Sequence, residues 1–191
     1  MKKVFILLGH PDKDSFNSTL MSDYQKGAET AGHEVRRMNI GDMQFDPILH
    51  HGYRAIQELE PDLKVFQENV RWCDHLVISY PSWWSTMPAL LKGLIDRVWL
   101  PGFAFKFSPN GIIWERLMKG KSATMVVTSD TMPLIQRIIF GDTTNELKKG
   151  VLWFAGFGPI YVRKFGYLKH FSIAHRERIR RKVYKLGSKA K

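Results

Sequence analysis

HLVISYPSWWSTMPALLKGLIDRV, residues 75–98, falls into three parts with three different patterns. HLVISY (75–80) is a short unbroken apolar run, as expected of a strand buried on both faces. In PALLKGLIDRV (88–98), Leu91, Leu94, Ile95 and Val98 share one helical face, and Pro88 suits the first helical position, where a missing N–H costs nothing. Between them, PSWWSTM sets two tryptophans in a turn closed by two prolines. A buried strand that runs through a short connection into an amphipathic helix is the repeating unit of a parallel sheet.

The same unit recurs on both sides. VFILLG (4–9) predicts a buried strand, and Phe16, Leu20, Tyr24, Ala28 and Ala31 mark one face of a helix over 16–31, with Gly32 just beyond its end. HEVRRMNI (33–40) is a short, charged strand suited to a sheet edge. Pro61 opens a helix reaching about Trp72, and SATMVVTS (122–129) is a third apolar strand. Residues 145–155 predict a helix, GPIYV (158–162) a last strand and 172–186 a final helix. Strands alternating with helices predict a three-layer α/β fold of the doubly wound, flavodoxin-like kind, its five-stranded parallel sheet ordered 2-1-3-4-5. No linker or internal repeat divides the chain, so residues 1–191 are expected to form a single domain. Such folds bind ligands beyond the carboxyl ends of their strands, which selects the loops after VFILLG, HLVISY and SATMVVTS.

Composition narrows the setting. The net charge is +11, of which +7 lies between His175 and Lys191. The basicity therefore belongs mainly to the C-terminal helix, where an acidic protein, a membrane surface or nucleic acid could be attracted, or where a helix face is simply solvated. No helix-turn-helix, RNA-recognition or zinc-finger signature accompanies it, and no nucleic-acid partner is expected. MKKVFILLGHP at the start lacks a cleavage signal and predicts a strand rather than a leader. No apolar run approaches the length of a membrane-spanning helix. Cys73 is alone, which points to a reducing, cytoplasmic setting.

The first of the three loops, GHPDKDSFNSTL (9–20), has the makings of a phosphate cradle. Ser15 is a candidate N-cap, which would leave the N–H groups of Phe16, Asn17 and Ser18 at a helix start, where they favour an anion. His10 adds a donor. Neither G-x-x-x-x-G-K-[ST] nor G-x-G-x-x-G is present, which argues against a P-loop or a dinucleotide-binding start. No second ligand stands near His10 or the His50–His51 pair at metal-binding spacing, so no metal is expected.

HPDKDSFN (10–17) and PSWWSTMPALLKGLIDRVWLPGFAFKF (81–107) together resemble the NAD(P)H:quinone oxidoreductase family, which includes DT-diaphorase, the bacterial drug-activity modulator B type and quinone reductases ancillary to potassium efflux. GVLWFAGFGPI (150–160) is similar to the late helix and strand of that family. The resemblance implies a flavin whose phosphate lies on His10, Ser15, Phe16, Asn17 and Ser18. Its ring would lie on Pro81, Ser82, Trp83, Trp84 and Ser85, with Trp84 at the family's tryptophan position and Phe103–Phe107 nearby. Thr128 and Ser129 would meet the ring's edge. It further implies NAD(P)H as co-substrate, a quinone-like acceptor, ping-pong transfer of a hydride and then two electrons, and a homodimer with sites at the subunit interface. The family uses FMN and FAD; the length and compact C-terminus of this chain lean toward FMN.

The third loop departs from the family pattern. Where DT-diaphorase-like members carry Thr-Thr-Gly-Gly and then a Tyr and a His, this chain has VTSDTMPLIQRIIFGD (127–142), with Leu134 and Phe140 at the Tyr and His positions. Neither side chain can carry a proton, so no residue is assigned a catalytic role, and an aliphatic acceptor pocket is expected. Asp130-Thr131-Met132-Pro133 partly fits a bacterial branch with Asp-Thr-Pro-Pro. The broken loop and basic tail also suit a flavin-binding ancillary subunit of an ion-efflux system with weak turnover. A flavodoxin-type electron carrier fits less well, because such carriers are acidic.

Overall fold

The chain is described over residues 1–191 by a computed structural model. Its apolar runs become strands because only a central position in a parallel sheet removes both faces of such a run from water. β1 (Lys3–Leu8), β3 (His75–Pro81) and β6 (Ser122–Thr128) are these central strands, and β3 and β6 are buried at every position. β2 (Glu34–Asn39), with its charged alternation, takes one edge, and β7 (Ile160–Phe165) takes the other. The order is β2-β1-β3-β6-β7, all parallel, which is the expected 2-1-3-4-5 of a flavodoxin-like fold once strands outside the sheet are set aside.

Alternation along β1 divides the core. Phe5 and Leu7 join the layer of α2 (Pro61–Trp72) and α3 (Ala89–Val98), while Val4, Ile6 and Leu8 face α1 (Phe16–Thr30) and α5 (Ile173–Gly187). Each of these side chains is fully buried, a gain of about 1.5–3 kcal/mol apiece against exposure. α1 and α5 approach closely through two glycines: a Cβ on Gly27 would lie 2.1 Å from the Tyr184 carbonyl oxygen, and one on Gly187 would lie 2.0 Å from that of Tyr24. This contact fixes the basic C-terminal helix on α1.

The structure corrects several boundaries. Pro88 is the N-cap of α3 rather than its first helical residue, and the last strand runs over Ile160–Phe165, later than 158–162. The helix expected over 145–155 is mostly π-helical, from Glu146 to Trp153. Two elements had no clear periodic signal. β4 (Phe105–Phe107) and β5 (Trp114–Arg116) form a separate antiparallel hairpin, and α4 (Pro133–Phe140) is a short helix after β6. No helix is long and apolar enough to cross a membrane.

Candidate functional site

The three loops selected by the sheet rule converge on one cavity of about 390 Å³ beyond the carboxyl ends of β1, β3 and β6. From the first loop it takes His10, Ser15, Phe16 and Asn17; from the second Pro81, Ser82, Trp83, Trp84 and Ser85; from the third Thr128 and Ser129. Ser18 is not among the lining residues. Its N–H donates to Ser15 Oγ at 3.3 Å, and its hydroxyl accepts from Arg37 at 3.1 Å.

Ser15 therefore caps α1 as its sequence suggests, and the cap consumes the N–H of Ser18. The N–H groups of Phe16 and Asn17 have no protein acceptor, and no acidic residue occupies the first turn of α1. The positive end of the helix is thus left to an anion. His10 Nδ1 accepts from the Asp12 N–H at 2.9 Å, so the neutral ring carries its proton on Nε2, as a donor. Burial lowers the pKa of His10 below the ordinary histidine value, against the opposing pull of Asp12. The ring packs edge-on against Trp83, centroids 5.5 Å apart.

The two tryptophans lie in a tight hairpin. Trp83 and Thr86 exchange both backbone hydrogen bonds, at 2.9 and 3.1 Å, leaving Trp84 and Ser85 as a two-residue loop with φ of 50° and 65°. Glycine or asparagine usually occupies such positions, and side chains there cost about 1–3 kcal/mol each. The Ser82 N–H is also taken, by the Thr128 carbonyl at 2.7 Å. The N–H groups of Trp84 and Ser85, the two residues at the tip, remain free for a ligand. Trp84 is 98% exposed and stands at the mouth of the cavity.

The floor is a buried polar chain that joins all three loops. Thr128 Oγ1 donates to Asn17 Oδ1 at 2.8 Å, and Asn17 Nδ2 donates to Ser79 Oγ at 3.0 Å. Ser129 Oγ donates to the Thr131 carbonyl at 2.7 Å. The hydroxyl protons of Thr128 and Ser129 are thus committed within the protein, and both oxygens present lone pairs to the cavity.

Further lining residues come from segments whose role the sequence did not reveal: Asp130, Thr131, Gln136, Phe140 and Leu168. Leu134, expected to give an aliphatic pocket, does not line the cavity and is 67% exposed, and its neighbour Ile135 is 44% exposed. Of α4, only Gln136 and Phe140 reach the cavity. Within one chain Phe103–Phe107 also lies elsewhere. Phe105 packs against Phe154 at 5.1 Å, in the layer of α3 and the π-helix. The basic helix does reach the rim: the Arg176 guanidinium lies 5.6 Å from the Phe16 ring centre and donates to the Leu168 carbonyl at 3.4 Å. Arg180 is instead tied to Asp23 and Glu177. His50 bonds Asp46 at 2.6 Å, in a different part of the chain.

A family model described as flavodoxin-like fold matches residues 2–185. The chain is 27% identical over 184 residues to NAD(P)H dehydrogenase [quinone] 1 of Cavia porcellus, a match covering 82% of this chain and 66% of that protein. It is also similar to the crystal structure of Smu.1420 from Streptococcus mutans, with 27% identity, a TM-score of 0.84 and coverage of 98% of this chain and 99% of the other. An FMN-dependent NADH-azoreductase from Bacillus anthracis, solved in complex with FMN, shares the fold at 16% identity and a TM-score of 0.75, each chain covered to 99%.

Proposed function

The chain belongs to this flavodoxin-like family, and from that premise we propose that it is a flavin-dependent NAD(P)H oxidoreductase acting on a quinone or similar acceptor. One observation carries the reading. A single cavity joins a helix start whose Phe16 and Asn17 N–H groups have no protein acceptor, suited to a phosphate, to a strained hairpin with two free N–H groups, suited to the polar edge of a planar ring. When bound, a flavin supplies two-electron chemistry, taking a hydride from NAD(P)H and passing electrons to the acceptor in turn.

The residues divide the work of holding it. The N–H groups of Phe16 and Asn17, the Ser15 hydroxyl and His10 Nε2–H hold the phosphate, with Arg176 as a fixed cation at the rim. The N–H groups of Trp84 and Ser85 would face the polar edge of the ring, where fixed dipoles favour negative charge. Thr128 and Ser129 accept hydrogen bonds from the ring, their own protons being committed elsewhere. Pro81, Ser82 and Trp83 complete the wall. FMN, the flavin of the azoreductase that shares the fold, is the flavin of this reading, and NAD(P)H is the donor.

A homodimer is part of this reading. Exposed Leu134, Ile138, Ile139 and Phe140 on α4, and Phe107, Ile112 and Ile113 on the β4–β5 hairpin, offer apolar surface for a second copy. The lone buried Cys73 fits a reducing, cytoplasmic setting.

The test is the visible absorbance of the purified protein before and after anaerobic NADPH or NADH, with the released flavin identified as FMN or FAD. Bound flavin that bleaches on reduction and recovers with menadione is expected. A protein that takes up no flavin, or holds one that neither nicotinamide bleaches, ends the proposal.

A further inference from the structure

α4 is inverted. Leu134, Ile135, Ile138, Ile139 and Phe140 are all more than two-fifths exposed, and the one buried side chain is Gln136, at 6%. Burying an amide while isoleucines face water is costly unless the amide has a polar task. Gln136 lines the cavity, and its Nε2 donates to Ser82 Oγ at 3.0 Å. Its Oε1 and second amide proton have no protein partner. Ser82 is fixed in turn, since its N–H is held by the Thr128 carbonyl. With one lone pair of Ser82 Oγ occupied by Gln136 and no protein acceptor for its proton, the hydroxyl is left to donate into the cavity.

We propose that Gln136 is a positioning residue: by holding Ser82 Oγ as an acceptor, it aims the Ser82 hydroxyl proton at the bound flavin ring and links the seating of α4 to flavin affinity and potential. The inference rests on the flavin reading above. It also accounts for the inversion of α4, because the inner side of that helix faces a polar site rather than a core.

A double-mutant cycle tests it, reading FMN affinity by flavin fluorescence and midpoint potential by dye equilibration. Gln136→Leu is expected to weaken FMN about five- to tenfold. Reduced flavin should be weakened more than oxidised, each tenfold difference lowering the midpoint by about 30 mV. In a Ser82→Ala background the same change should add less than about twofold, because the proton it aims is gone. Val65→Thr, at an exposed position on α2 away from the cavity, should change neither quantity, and Gln136→Met replaces the leucine variant if that one does not fold. Additive effects of the Gln136 and Ser82 changes, or an unshifted potential in Gln136→Leu, overturn the proposal and leave flavin binding standing. A wild-type protein that binds neither FMN nor FAD overturns both.

Discussion

Gly27→Ala should destabilise the protein, although alanine is the better helix former. The substitution gains up to about 1 kcal/mol of helix propensity. Against this, the new methyl would lie 2.1 Å from the Tyr184 carbonyl oxygen and 3.0 Å from its carbonyl carbon, both backbone atoms that cannot rotate away. Reaching an ordinary 3.4 Å contact requires α1 and α5 to part by about 1.3 Å. A gap of that size forfeits much of the dispersion between Leu20 and Tyr24 on one helix and Ile179 and Val183 on the other. Overpacking of this kind costs about 1–3 kcal/mol, and rigid backbone places it at the upper end. The expected net loss is about 2 kcal/mol, or roughly 4–8 °C in Tm for a chain of this size. Gly187→Ala makes the reciprocal clash with Tyr24, so one separation relieves both, and the double variant should lose clearly less than the sum. Because α5 carries Arg176 to Phe16, FMN affinity should fall with stability. Urea unfolding of the two single variants and the double variant supplies the numbers. A neutral or stabilising Gly27→Ala, or strict additivity, would refute this close crossing.

Asn17→Ala would strand two buried hydroxyls, Ser79 and Thr128, at about 1–3 kcal/mol each; a loss under 0.5 kcal/mol in urea melts would show that the polar floor is not formed as described (roughly the scatter of surface substitutions). Arg97, 1% exposed, bonds Glu60 through both carboxylate oxygens and the carbonyls of Asp46 and Glu58, so Arg97→Met should cost about 3–5 kcal/mol. Burial pulls the Glu60 pKa upward, but hydrogen bonds from Arg97 and from backbone N–H groups outweigh it and leave the pKa lowered in the folded state. Its contribution is therefore full above the ordinary glutamate value and is lost as pH falls through the folded one, so the stability gap between wild type and Arg97→Met should narrow in acid. A gap that widens below pH 4, roughly the unfolded glutamate range, would contradict that sign. Ile139→Glu, at a 62% exposed position, should shift a dimer toward monomer in light scattering while leaving monomer stability within about 0.5 kcal/mol; an unchanged mass at low micromolar protein would remove α4 from the interface.

Parts of the site were legible because local sequence and local geometry coincide there. Ser15 caps α1 because a serine followed by an apolar helical pattern has one favourable place to sit, and that cap exposes the N–H groups of Phe16 and Asn17. Gln136 and Arg176 were not legible. Gln136 sits in a segment that reads as apolar, and its burial follows from how α4 lies over the cavity. Arg176 is one cation among many in a basic run, and only the Gly27–Gly187 crossing brings it, rather than Arg178 or Arg181, against Phe16. The Trp84–Ser85 turn was visible as a loop, but its left-handed backbone was not, since nothing in Trp-Ser announces positive φ.

The sequence alone determined the strand–helix alternation, hence the parallel sheet, its order and the edge where the three loops gather around one cavity. Those follow from periodicity and from the need to bury continuous apolar runs, both carried by neighbouring residues. Only the tertiary structure decided which N–H groups and hydroxyl protons stay free. That depends on partners distant along the chain, such as Thr128 with Asn17 and Gln136 with Ser82, and a hydrogen bond once made removes a donor that composition still counts as available.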